Sequence, residues 1–144
     1  MSNIFFFTED INFRLRAIRK IRKWISFIIE NEGGTYENIN FIFTSDSFLH
    51  QINVEYLNHD TLTDIITFDY GEGVAPINSD IYISIDRCKE NSKQLKLKFT
   101  DELHRLLAHG ILHLLGYKDK KPSEKKQMTA KEDYYLSLRS EFGI

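Results

Sequence analysis

The stretch of this sequence best equipped for chemistry is His109-Gly110-Ile111-Leu112-His113-Leu114-Leu115-Gly116-Tyr117-Lys118-Asp119. Histidines at i and i+4 share one helical face, one turn apart, so both imidazoles can reach a single metal ion. A helix alone cannot place a third ligand at tetrahedral angles. The chain must turn back, and Gly116 lets it do so. Asp119, just beyond that turn, is the nearest side chain able to complete the set. Two histidines and one carboxylate leave a coordination position for water, as catalytic zinc sites do and closed structural sites do not. A peptidase of the H-E-x-x-H type carries its general base directly after the first histidine. Here that position is Gly110, which argues against a zinc peptidase. An activated water would then depend on the metal itself or on a carboxylate from elsewhere in the chain. An aspartate ligand also lowers the site's positive charge relative to three neutral histidines, and it admits Fe, Mn or Ni beside Zn. His104 lies about 140° around the helix from His109, so it is expected to face solvent or a neighbouring helix. His50 and His59 are too remote for spacing to place them.

The rest of the chain must build a scaffold for this helix. Its 144 residues (17.0 kDa, 42% hydrophobic) are enough for one core, so a single domain over 1–144 is expected. Seven Gly and two Pro are too few for a linker-rich or collagenous chain. A lone cysteine, Cys88, excludes an internal disulfide and a cysteine-based zinc knuckle, and fits a reducing, cytoplasmic compartment. The apolar run Ile4–Phe7 meets Glu9 and Asp10 too soon for a signal segment or membrane span.

Periodicity predicts the elements. Residues 3–8 read as an edge strand. Ile11, Leu15, Ile18, Ile21, Ile25 and Ile28 recur at steps of three and four, predicting a helix over 11–30 ended by Gly33-Gly34. A strand over 39–43 precedes a helix capped by Ser45 or Asp46, with Phe48, Leu49, Ile52 and Tyr56 on its apolar face. Strands are expected over 65–70 and 81–85, joined by a loop too short for a helix. A short helix over 86–95 follows. A longer one begins at Thr100, buries Leu103, Leu106, Leu107, Ile111 and Leu114, and stops at Gly116. Pro122 opens the last helix, to about 140, with Met128, Tyr135 and Leu138 as its buried stripe. The expected fold is α+β: a small mixed sheet packed with helices, and a metal site at the end of a central H-x-x-x-H helix.

The H-G-x-L-H-L-x-G-Y run, followed by a metal-ligand position, resembles the signature of the YbeY family of rRNA-maturation endoribonucleases. Asn53-x-x-Tyr56 with Asp60-x-x-Thr63-Asp64-Ile65-Ile66-Thr67-Phe68 resembles that family's N-x-x-Y-R-x-x-D-x-P-T-D-V-L-S-F block. Asp80-Ile81-Tyr82-Ile83-Ser84 is similar to its G-D-I-x-I-S strand, and Met128-x-x-x-Glu132 to its C-terminal helix. The resemblance implies a single-strand-specific metallo-endoribonuclease acting in 3′-end maturation of small-subunit rRNA and in ribosome quality control. It implies one zinc ion per chain, with His109, His113 and Asp119 as ligands. Two positions depart from the family. Its usual third ligand is histidine, here Asp119, and its arginine after the tyrosine is Leu57.

A net charge of −2, from 19 basic and 21 acidic residues, requires an RNA-binding chain to gather its cations. Arg14, Arg16, Arg19, Lys20, Arg22 and Lys23 form one group expected on the first helix, and Lys89, Lys93, Lys96 and Lys98 a second. Lys118, Lys120, Lys121, Lys125 and Lys126 crowd around Asp119, where they would steer phosphates toward a metal. Thr63 and Asp64 either shape the cleft or cap the start of a strand. The expected partners are single-stranded RNA and the small ribosomal subunit, not DNA or a membrane. The competing reading is a non-catalytic ribosome-assembly factor with a structural metal, motivated by Leu57.

Overall fold

The computed structural model describes residues 3–59 and 62–144; Asp60 of the Thr63 block lies outside them. Four strands form one mixed sheet in the spatial order β1-β2-β4-β3. Strands β1 (Ile4–Glu9), β2 (Tyr36–Thr44) and β4 (Ile77–Ser84) run parallel, and β3 (Ile65–Asp69) runs antiparallel to β4. The short link between β3 and β4 permits only a hairpin, which is why that pair is antiparallel. Helix α1 (Ile18–Asn31) crosses between β1 and β2, and α2 (Asp46–Leu57) follows β2. After β4 come α3 (Ile85–Gln94), α4 (Phe99–Leu114), α5 (Pro122–Ser137) and a 3-10 turn at Arg139–Phe142.

Alternation within the strands separates two packing faces. On one face, Ile39, Phe41 and Phe43 of β2 and Ile77, Ile81 and Ile83 of β4 join the core with α1, α3, α4 and α5. Ile21, Trp24, Ile25 and Ile28 line the α1 side of that core, and Leu103, Leu107 and Ile111 the α4 side. On the other face, Leu49 and Ile52 of α2 cover Ile66 of β3. The fold is α+β, and α4 is at its centre, touching α1, α3, α5, β3 and β4.

Several boundaries differ from the periodicity, and those of α1 and β4 have a clear physical reason. Helix α1 begins at Ile18, not Ile11, because Ala17 is left-handed (φ 58°) and breaks the helical path. Leu15 is nonetheless buried and Ile11 packs on the core, so a loop continued the apolar rhythm of the helix. Arg14 and Arg16 therefore precede α1. Strand β4 extends back to Ile77, through the polar pair Asn78-Ser79. Ser79 is buried with its hydroxyl donating to Phe68 O at 2.7 Å, so a polar residue holds a core position. Helix α5 ends at Ser137, leaving Leu138 half-buried in the turn that follows.

Ser45 is the cap of α2, accepting a hydrogen bond from Phe48 N at 3.2 Å, and Pro122 opens α5 as expected. Among the described residues, no helix is long and apolar enough to cross a membrane.

Candidate metal centre

Helix α4 places His109 and His113 one turn apart, with rings edge to face at 4.5 Å between centroids. Beyond Leu114 the chain reverses at Gly116, whose φ of +105° is accessible to glycine at little cost. Tyr117 N donates to Leu112 O at 3.0 Å, closing the turn. The reversal brings Asp119 back over the helix, so its Oδ2 lies 3.2 Å from His113 Nε2 and 3.4 Å from His109 Nε2. One ligand atom from each of these three residues falls within 4.8 Å of the others, an arrangement that could hold a metal ion.

The tautomers test that fit. His113 Nδ1 is 2.9 Å from Tyr117 O, and a carbonyl only accepts, so Nδ1 carries the proton. His109 Nδ1 is 2.6 Å from Glu132 Oε2 and donates to that carboxylate in the same way. In neutral rings both Nε2 atoms are then bare lone pairs facing a carboxylate oxygen. Such a cluster needs a cation, either protons or a metal, in its middle. Two ligand atoms each about 2.1 Å from a tetrahedral ion lie about 3.4 Å apart, which matches the observed spacing to Asp119. The carboxylate–histidine pairing is also the usual outer support of a metal-bound imidazole.

The surroundings are strongly charged. Glu132, with its side chain 7% exposed, is shared: Oε1 accepts from Arg105 Nη1 at 2.8 Å while Oε2 holds His109. Arg105 also reaches Asp133 at 2.6 Å. Burial alone would lower the His109 pKa, but the hydrogen bond and charge of Glu132, with Asp119 and Asp64 behind it, raise it on balance. Beside His109 and Asp119 is a cavity of about 320 Å³ that Asp64, Glu102, Arg105, Lys125, Thr129 and Glu132 also line. Burial raises the pKa of both Asp64 and Glu102, and Asp64's charge pushes Glu102 further.

Gly110 faces away from the cavity. A Cβ there would meet Ile65 Cδ1 at 3.1 Å and Ile81 Cγ2 at 3.3 Å, so a glutamate at 110 would point into the sheet. The direction of that Cβ, toward the sheet and not the cavity, adds to the argument against a peptidase base at 110.

His104 is 7% exposed, against Trp24 and under Arg139, so it faces the neighbouring elements and not solvent. His50 is on α2, across the sheet, and His59 just follows that helix; neither joins the cluster. Cys88 is buried, and burial pushes its thiol pKa up to about 12. The two readings of the Thr63-Asp64 pair separate cleanly. Thr63 Oγ1 donates locally to Ile65 O at 3.2 Å, whereas the Asp64 carboxyl lines the cavity and accepts from Asn91 Nδ2 at 3.1 Å. Residues that spacing did not single out for the site are Glu102, Arg105 and the His109-holding role of Glu132. The first two are detectable in hindsight as i−7 and i−4 neighbours of His109 on one helical face. Glu132 comes from another helix, and no local pattern pairs it with His109. The lysines at 118, 120, 121, 125 and 126 are all exposed around Asp119, with Lys125 at the cavity.

The family model described as Endoribonuclease YbeY matches residues 3–139. A Cytophaga hutchinsonii protein named Endoribonuclease YbeY is 52% identical over 136 residues, covering 94% of this chain and 95% of its own. Another of that name, from Amoebophilus asiaticus, is 46% identical, covering 94% and 92%. The solution structure of a Thermotoga maritima protein matches with a TM-score of 0.66 at 25% identity, over 94% of this chain and 88% of that one. With sequence, fold and coverage of more than nine-tenths of the chain in agreement, the chain belongs to the YbeY endoribonuclease family.

Proposed function

We propose that this protein, acting as a single domain over residues 1–144, cleaves phosphodiester bonds in single-stranded RNA at a zinc ion held by His109, His113 and Asp119. The substrate is the 3′ region of small-subunit rRNA, and the compartment is the cytoplasm. The observation that carries the reading is the convergence of two bare imidazole Nε2 atoms on one carboxylate at the rim of a charged cavity that Lys125 reaches. Side-chain exposures of 33% for His113 and 39% for Asp119 favour an open, catalytic site over a sealed structural one. Zinc suits the nitrogen and oxygen donors, with Fe, Mn and Ni as the alternatives a carboxylate admits.

Bound there, the ion would polarise a phosphoryl oxygen and acidify a water. The protein's own groups would supply the rest. Glu132 and the Tyr117 carbonyl fix both histidine tautomers. Lys125 and its exposed neighbours draw the phosphate toward the site. The Asp64 carboxyl, which lines the same cavity and has its pKa raised, would take a proton from the attacking oxygen. The test compares the purified protein with His113→Ala on single-stranded RNA, with elemental analysis of both. About one metal equivalent per chain and cleavage are expected, both lost in the variant. Equal cleavage by the two would refute the assignment; a metal-loaded protein that never cuts would favour the assembly-factor reading.

A further inference from the structure

The turn that carries Asp119 is tied at one residue, Tyr117, by three separate groups. Its amide donates to Leu112 O at 3.0 Å and its carbonyl accepts from His113 Nδ1 at 2.9 Å. Its hydroxyl donates to Glu32 Oε1 at 2.5 Å. Glu32 sits at the C-terminal cap of α1, 85 residues away in sequence, and its side chain is only 10% exposed. Its other oxygen accepts from Tyr135 Oη and from Lys131 Nζ at 3.1 Å, and the Lys131 ammonium lies 5.6 Å from the Tyr117 ring. Burial would push the Glu32 pKa up, yet these donors bring it below its ordinary value, so the carboxylate is a fixed anion. The adjoining Gly34 lies flat against the same turn: a Cβ there would be 2.7 Å from Leu115 Cδ2.

We infer that Glu32 is a positioning residue for the metal centre, acting through the Tyr117 hydroxyl to fix the peptide that orients His113 and delivers Asp119. The inference rests on the ligand assignment proposed above. Without the tether, Tyr117 keeps its backbone bonds but its side chain loses the anchor outside the turn. His113 and Asp119 then reach the ligating arrangement only by ordering the turn on binding. Tyr135 provides the control, because its hydroxyl donates to the same carboxylate from α5 and not from the ligand turn.

The experiment measures zinc affinity by chelator competition, and the visible spectrum of the cobalt-substituted protein, for Tyr117→Phe, Glu32→Gln, their double variant and Tyr135→Phe. Tyr117→Phe and Glu32→Gln should each weaken zinc binding about 10-fold and shift the cobalt spectrum. The double variant should be no weaker than either single within about twofold. Tyr135→Phe should leave affinity within about twofold while lowering thermal stability. Affinity losses that track stability across all variants, Tyr135→Phe included, would overturn the proposal, as would unchanged affinity in Tyr117→Phe. Full metal retention in His113→Ala would instead overturn the ligand assignment, a separate failure.

Discussion

Glu132→Gln isolates the link between α5 and the candidate metal centre. The native carboxylate satisfies two donors at once, His109 Nδ1 at 2.6 Å and Arg105 Nη1 at 2.8 Å. A glutamine has the same shape but one oxygen and one NH₂. If the oxygen keeps His109, the NH₂ opposes the guanidinium; if it keeps Arg105, the NH₂ opposes the imidazole N–H. In either orientation His109 loses its charge-assisted hydrogen bond, since even a retained bond is to a neutral amide oxygen; such a bond is worth about 1.5–3 kcal/mol. That is about 10- to 100-fold in an equilibrium constant, the range by which loss of an outer metal-site partner weakens affinity. The zinc dissociation constant of Glu132→Gln should therefore rise about 10- to 100-fold in chelator competition at pH 7. The sign with pH is also set. With Glu132 in place the His109 pKa is raised, so a proton competes with the metal and native affinity should fall as the solution is acidified. The variant loses that proton affinity along with its metal affinity, so its pH dependence should be shallower. An unchanged dissociation constant, or one weakened with native pH dependence, would refute the carboxylate's role in holding His109.

Two further outcomes concern the frame around the site. His104 Nδ1 is 2.7 Å from Arg139 Nη1, which can only donate, so the ring is neutral, and burial together with Arg139 lowers its pKa to about 4. Asp101, bonded to the same guanidinium, only partly offsets this. The unfolded state takes up the proton first, so this contribution is complete above pH 6.5 and is lost as pH falls toward 4. At pH 5 the loss is about 2 kcal/mol. Urea midpoints between pH 7 and 5 should thus fall less steeply in His104→Gln than in the native protein; identical slopes would contradict the neutral buried ring. For Gly110→Ala, about 1 kcal/mol of helix propensity is gained, against about 1–3 kcal/mol for crowding Ile65 and the fully buried Ile81. Calorimetry should show a midpoint a few degrees lower, and a rise would mean the contact relaxes freely.

Much of the fold was legible because its signals are local. The alternation of Ile81, Tyr82 and Ile83, the Ser45 cap and Pro122 at the head of α5 each depend on residues within a few positions. The failures share one cause. Ile11 and Leu15 kept helical rhythm while belonging to a loop, since the core accepts an apolar side chain from any backbone that reaches it. The expected strand began only at Ile81 and left out Ser79, whose buried hydroxyl finds its acceptor, Phe68 O, on another strand.

The same division runs through the site. Spacing alone marked His109 and His113, because helical geometry fixes where i and i+4 point, and it marked Gly116 and Asp119, because one glycine turn returns the chain over its helix. Gly110, too, excluded the peptidase base on identity alone. Only the tertiary structure decided what holds those groups. Glu132 arrives from α5, and Glu32 from the end of α1. Each is 23 or more residues from the histidine or tyrosine it serves, a distance at which periodicity carries no information and only packing brings side chains together.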